Sequence, residues 1–471
     1  MASDLRTYLS NLNGELLRIE REVDPLTELG ALCSESDRPL LFLKVKGYPG
    51  WQICDILAKT RTCQAVALGT TPERVLSELG ARLAKGPCPW KVVDDGPVRE
   101  IIWRGSEAEL LSLPIAVHTE GDPGPYIGGG MAVTKDPDTG IQNVAFLRVQ
   151  CLNGRRAPFS MAPRHNYEHY RKYEARREAM PMAMVIGHHP AYEIAANYSG
   201  RYGVDEFELV GSLLGETVEM VKCVSIDLHV PAHAEIVIEG LVPPHIREDE
   251  GPFGEFQGYQ SDGARKKEVW EITAITMRRG AIYRHLQSTV FTDHQRLVAR
   301  PMEAGLFERV RDVGGRVEVH NVNVPPWAGN FMVIIQLTPQ FGGQVKDALM
   351  AALSSSYIHP KIAIAVDADV DPFNAQEVFW AVSTRVNPAK DTFIIDGTQG
   401  HRLDLSLPVV EVPGKAFRRM GSKMGIDATK PSLFEPEKRE EFARARPVGT
   451  GQVRLTDFLP QELAAQLKLR A

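Results

Sequence analysis

Asn143-Val144-Ala145-Phe146-Leu147-Arg148-Val149-Gln150-Cys151-Leu152 is the stretch on which the reading of the fold turns. Its branched and aromatic residues mark a β-type run. Alternation along a strand puts Asn143, Ala145 and Leu147 on one face and Val144, Phe146 and Arg148 on the other. A regular strand therefore aims Asn143 and Arg148 apart, although one ligand lying along the strand end can touch both. Arg148 sits among apolar residues. It is either a buried anion clamp or an edge residue whose head reaches water.

Working outward, similar short runs occur at 130–134, 182–186, 234–238, 269–277 and 281–286, several of them separated by Gly and Pro turns. Many short strands and one helical interruption, near 204–214, predict a barrel or sandwich over residues 116–315. Residues 1–115 read as an α/β layer. A helical pattern at 4–22 is followed by apolar runs at 39–45 and 63–68, then a helix from Thr71-Pro72 to near Gly86. Residues 316–471 alternate again, with strands at 331–337 and 362–366 and helices at 343–353 and 375–383. That pattern implies a largely parallel sheet. A charged tail from 431 ends in an amphipathic helix at 461–469, suited to docking on a neighbouring subunit. The fold class expected is thus multidomain α/β around a β-rich centre.

Composition narrows the function. The chain has 471 residues, 43% of them hydrophobic and 24% charged, and a net charge of −6. Such a balance suits a globular protein and not a disordered one. It lacks the clustered cations that neutralise phosphates, so no nucleic-acid partner is expected. The short basic pairs Arg155-Arg156 and Lys266-Lys267 read as solvated surface. No signal-type or membrane-spanning run is seen. The cysteines (Cys33, Cys54, Cys63, Cys88, Cys151 and Cys223) form no CxxC pair. They read as reduced thiols of a cytoplasmic protein.

The densest chemistry lies in Arg247-Glu248-Asp249-Glu250-Gly251-Pro252-Phe253-Gly254-Glu255. Pro and two Gly exclude a helix interior, so this is a turn. It is either a solvated acidic loop or a device that aims Glu250 and Glu255 at one point. Crowded carboxylates raise at least one pKa, which makes a proton donor near neutral pH. His165, His169, His188 and His189 gather within 25 residues. One of them with Asn143 and Glu206 would form an N/O set suited to Mn²⁺ or Mg²⁺ bridged to phosphate, while each histidine alone also reads as structural. Gly128-Gly129-Gly130 fits neither nucleotide-loop frame and reads as a turn before a strand. No GxSxG serine elbow is present.

Together these pieces resemble the UbiD family of prenylated-FMN-dependent decarboxylases. The resemblance rests on NVAFLR (143–148), PRH (163–165), VDEFELVGSLLGE (204–216), VPAHAEIVIEG (230–240), EGPFGEFQGY (250–259) and GSKMGIDATKP (421–431), in that order. It implies an N-terminal α/β domain, a central split β-barrel that binds the flavin and a C-terminal α/β oligomerisation domain. It also implies reversible, non-oxidative decarboxylation, with the modified flavin as electron sink. Arg148 then resembles the arginine that orients the substrate carboxylate, Glu255 the proton donor and Glu250 its ion-pair partner. Asn143, His165 and Glu206 resemble the ligands of a Mn²⁺ (or Mg²⁺) that fixes the flavin phosphate. Ala195 and Ala196 resemble backbone ligands of K⁺. Val144, Ala145, Phe146, Leu147 and Arg164 would line the cofactor. Lys423 serves the phosphate or an interface. His294 either faces the substrate or starts a surface helix.

The partners implied are a small aromatic or heteroaromatic acid, carbon dioxide, a flavin prenyltransferase as cofactor supplier and further copies in a homodimer or larger homo-oligomer. Furan, pyrrole or indole carboxylates are the preferred substrates, with cinnamic-type and hydroxybenzoic acids open. Two rivals remain: an FMN-dependent, flavin-reductase-like oxidoreductase, and a non-catalytic subunit of a carboxylase complex.

Overall fold

The computed structural model describes residues 3–198, 200, 202–261, 263–313, 317–410, 418–450, 452–461 and 463. The tail helix expected at 461–469 falls almost wholly outside them.

The N-terminal helix is shorter than its pattern suggests. Asp4 caps it, accepting from the Thr7 amide at 2.8 Å while its own amide donates to Thr7 Oγ1 at 2.9 Å. The helix Leu5–Asn11 ends where Asn13 turns left-handed at φ 48°. The chain then enters the strand Leu17–Ile19, which pairs in parallel with Leu40–Phe42. The expectation of one helix over 4–22 is thereby corrected: the tertiary strand partner outweighs local helical periodicity. The apolar run at 63–68 is a helix, Arg61–Leu68, capped by Thr60 and closed by Gly69 at φ 58°. A second strand pairing binds this layer to the centre. Gln52–Asp55 lies parallel to Ile282–Arg284.

Among the described residues the central sheet has ten strands. Its main path runs Tyr126–Ile127, Arg148–Gln150, Arg156–Ser160, Arg265–Met277, Ile236–Val242, Met180–Ile186, Met131–Lys135, Gln142–Phe146. The connectivity dictates its shape. Gln142–Phe146, at one end of the path, and Arg148–Gln150, the second strand from the other end, are joined by Leu147 alone. Residues 128–130 make the second link, between Tyr126–Ile127 and Met131–Lys135. One residue spans only about 3.5 Å, so the sheet must curl until its two ends meet. Gly128-Gly129-Gly130 lies at that closure. A Cβ on Gly129 would strike the Arg284 carbonyl, and one on Gly128 would come within 2.6 Å of the His118 ring. The run read as one strand over 143–152 is thus two strands on two lips.

Among the described residues, His165–Arg176 and Pro190–Ala196 join the expected Glu206–Leu214 as helices of this region. The first was hidden because its buried positions, Asn166, His169, Tyr170 and Tyr173, have helical spacing but polar chemistry. A long helix, Asp293–Arg311, leads to the C-terminal sheet. There Met332–Thr338, Ile362–Val366 and Arg418–Ala428 are parallel neighbours, flanked by antiparallel strands. Helices Gln344–Leu353 and Ala375–Arg385 cover them. No described helix is long and apolar enough to cross a membrane. The described cysteines are free thiols.

Candidate active site

The closure of the curled sheet organises the site, because the two lips carry different chemistry. On one lip, Arg148 starts its strand and reaches the acidic turn. Its Nε donates to Glu250 Oε1 at 2.7 Å and its Nη2 to Glu250 Oε2 at 3.1 Å. Its Nη1 donates to Glu255 Oε1. Glu250 ends the strand Arg247–Glu250, which pairs with Arg265–Met277 in the register Glu250↔Arg265. Gly251, at φ 97°, turns the chain so that Glu255 returns to the same guanidinium. Phe253 packs beneath it, with the guanidinium carbon 4.9 Å from the ring centroid. Glu250 is 1% exposed and Glu255 6%, so the turn is no solvated loop. Burial alone would lower the Arg148 pKa. The carboxylates of Glu255 and Glu250 outweigh it and raise the value, so Arg148 stays charged.

These groups open on a polar cavity of about 70 Å³. Further cations line it: Arg265, Lys267, Arg402 and Arg419. Burial holds Lys267 below the ordinary lysine range, and Arg402 adds repulsion. Burial likewise lowers Arg402, against the pull of Glu255. The reading of Lys266-Lys267 as solvated surface is therefore corrected for Lys267. Its signal lay in strand length. The strand begins at Arg265, so Lys267 shares a face with buried Val269.

On the other lip, Asn143 meets His165 and Glu206. Asn143 Oδ1 lies 3.0 Å from His165 Nδ1 and 3.2 Å from Glu206 Oε1. Three acceptor atoms crowd one point, an arrangement relieved either by turning the amide over or by a cation. Burial lowers the His165 pKa, with Arg164 adding to it, so the ring is neutral and able to ligate. Burial pushes Glu206 up to about 8, although Glu206 accepts from the Val144 amide at 2.7 Å. An uncompensated buried carboxylate beside two neutral donors fits a divalent cation. Among the described residues no three His, Cys, Asp or Glu side chains gather to hold a metal, so the set depends on the Asn143 amide.

The other sequence candidates fall around these lips. Arg164 precedes the helix that His165 begins, and burial lowers its pKa. Ala195 and Ala196 form the last turn of Pro190–Ala196, where the Ala195 carbonyl accepts from the Tyr198 amide at 3.0 Å. Ala145 lies mid-strand in Gln142–Phe146, Phe146 packs beside Leu286 and Leu297, and Leu147 is buried between the lips. The histidines divide. His165 and His169 both face Tyr202, whereas His188 packs on Tyr192 and His189 on Tyr8. His294 is no surface residue. Its ring packs edge-on against Phe256, its Nδ1 is buried without a partner, and burial pushes its pKa down to about 4. His359 and His401, unforeseen from sequence, stack at 4.2 Å beside the same Phe256. Lys423 is buried and donates to the Leu353 carbonyl at 2.6 Å.

A paired arginine and two buried glutamates thus meet at a polar cavity, beside an Asn/His/Glu donor set. Comparison with known proteins gives the family of the chain. Residues 10–83, 91–290 and 296–428 match, in turn, the N-terminal, Rift-related and C-terminal domains of 3-octaprenyl-4-hydroxybenzoate carboxy-lyase. The chain is similar to the phenolic acid decarboxylase of Sedimentibacter hydroxybenzoicus, 33% identical over 95% of each chain. It resembles the structure of the UbiD-class enzyme HmfF from Pelotomaculum thermopropionicum in complex with FMN. That match has a TM-score of 0.88 and 36% identity, and covers 97% of this chain and 100% of that one. The apo 3,4-dihydroxybenzoic acid decarboxylase AroY of Klebsiella pneumoniae matches with a TM-score of 0.86 and 27% identity, over 98% and 99% of the two chains. The chain belongs to the UbiD family and is a carboxy-lyase of that class.

Proposed function

We propose that this protein reversibly decarboxylates an aromatic acid with prenylated FMN, Arg148 holding the carboxylate and Glu255 giving the proton. The observation that carries the reading is the guanidinium of Arg148 held between two buried glutamates at the mouth of a polar cavity. A relative's structure contains prenylated FMN. Here Asn143, His165 and Glu206 would hold its phosphate through Mn²⁺ or Mg²⁺, with K⁺ near Ala195 and Ala196. The strand Gln142–Phe146, Leu147 and Arg164 would flank it. When bound, that cofactor supplies an electron sink.

The chain's own residues do the rest. Arg148 presents two parallel N–H groups, a geometry that suits a carboxylate. Glu250 occupies those groups in the resting state and keeps the guanidinium oriented. The substrate's carbon–carboxylate bond breaks, carbon dioxide leaves, and the electron pair on carbon takes a proton from Glu255. Glu255 regains its proton from water through the polar cavity. Lys267 and Arg402 keep that cavity attractive to anions.

Heteroaromatic acids (furan, pyrrole or indole carboxylates) are the preferred substrates in this reading. The names of the phenolic acid decarboxylases favour phenolic acids as a second class. The test is to produce the protein with a flavin prenyltransferase and measure carbon dioxide release from both classes. Cofactor-loaded protein that acts on neither class ends the proposal. NAD(P)H consumption without carbon dioxide release would favour the reductase instead.

A further inference from the structure

A second cavity lies apart from the one that Arg148 faces. It is a cleft of about 440 Å³ that shares no lining residue with the Arg148 cavity. That volume lies within the range of small-molecule pockets, roughly 300–1,000 Å³. Three parts of the chain meet there. The N-terminal region brings Lys59 and Arg61, the first turns of Asp293–Arg311 bring Arg296 and Arg300, and the C-terminal region brings Trp327 and Phe373.

The charges in this cleft do not balance. Lys59 pairs with Asp37 at 2.8 Å, and Arg300 pairs with Glu303. Among the described residues, Arg61 and Arg296 have neither an ion pair nor a hydrogen bond. The Nε atoms of Arg61, Arg296 and Arg300 are buried without partners. Burial, with repulsion from Arg300 next, lowers the pKa of both unpaired arginines, and Arg296 falls to about 9. Both side chains are half-buried, and Glu303, the carboxylate that acts on both, is already paired with Arg300, so their outer nitrogens are left to meet an anion. The walls beside them are flat and aromatic. The Arg61 guanidinium carbon lies 3.6 Å from the Phe373 ring centroid, and Trp327 and Phe291 complete the lining.

We propose that this three-way cleft is a second ligand site, built for a small aromatic dianion whose two negative charges meet Arg61 and Arg296 while its ring lies among Trp327, Phe291 and Phe373. Aromatic dicarboxylates and aromatic phosphate monoesters share that chemistry. The site does not depend on the reaction proposed for the Arg148 cavity, since no side chain serves both.

Calorimetric titration of the full-length, cofactor-loaded protein tests the assignment and separates the two sources. The probes are phthalate and phenyl phosphate, with benzoate and inorganic phosphate as controls. Saturable one-to-one binding is expected for at least one dianionic ring. The control matching its source, benzoate for phthalate or inorganic phosphate for phenyl phosphate, should bind about tenfold or more weakly. Arg61→Gln and Arg296→Gln should each weaken binding by about tenfold or more, and Arg148→Gln should leave it unchanged. Ligand-free Arg296→Gln should melt near or above the wild-type temperature, because the half-buried Arg296 side chain has no ion pair to lose. Should a glutamine variant misfold, Phe373→Leu keeps every charge and should still weaken binding several-fold. No saturable binding by either dianion, binding that survives the Arg61 and Arg296 substitutions, or binding lost with Arg148→Gln each overturns the proposal.

Discussion

Arg148 and Arg284 are both guanidiniums ringed by carboxylates, and only one faces a cavity. Arg284 donates to Asp55 at 2.6 Å, to Glu193 at 2.8 Å and to Asp293 at 2.6 Å, and all four side chains are fully buried. Arg284 joins the N-terminal strand Gln52–Asp55, the helix Pro190–Ala196 and the start of Asp293–Arg311. It is a tie between parts of the fold. Arg148 has two acids, a ring beneath it and a side chain 16% exposed to a polar cavity. The difference teaches that a charged constellation is not by itself a site. Access and an exchangeable partner decide, because a substrate can displace one glutamate from Arg148 but cannot enter the ring around Arg284.

That contrast can be broken in four ways. Glu255→Gln should lower kcat by about 10²–10⁴-fold, the usual worth of a positioned proton donor, with cofactor absorbance and melting temperature unchanged. Full activity would remove Glu255 from the role. Arg284→Met leaves three buried acids without their cation. It should cost about 3–5 kcal/mol of stability in denaturant titrations. A variant as stable as wild type but inactive would instead make Arg284 part of the chemistry.

The third concerns the opposite lip. Burial raises Glu206 from 4.5 to about 8, so between those values the folded protein keeps a proton that the unfolded chain has released. Stability of the metal-free protein should therefore fall as pH rises through that window, by at most about 1.4 kcal/mol per pH unit. Glu206→Gln should flatten the decline, and Mn²⁺ should oppose it. A pH-independent melting curve in metal-free wild type would count against both the shift and the ligand role. The smallest effect is expected for Lys267→Met, which removes a cavity cation that grips nothing directly. KM should rise by about tenfold or less with kcat nearly kept. An equal loss in kcat would move Lys267 into the proton path.

Much of the site's composition was legible before its geometry. The order of NVAFLR, PRH and EGPFGE along the chain pointed to Arg148, His165, Glu250 and Glu255. What local patterning missed has identifiable causes. His165–Arg176 hid because its buried face is polar, and Lys267 because its strand begins four residues before the apolar run. Arg402, His359 and His401 arrive from the C-terminal region, more than 100 residues beyond the glutamates, and no short-range pattern reports such a contact.

The sequence by itself determined which groups are available: a lone arginine in an apolar strand, two glutamates flanking a Gly-Pro turn, and an N/O donor set. Alternation separated Asn143 from Arg148 on the condition of one regular strand, and the strand breaks at Leu147. Only the tertiary structure decided how the two residues are placed. A single residue, Leu147, links the last strand of the central sheet to the second strand from its other end, so closure puts Asn143 on one lip and Arg148 on the other. Closure arises from pairings among strands far apart in the chain, which is why periodicity could name the residues and not assemble them.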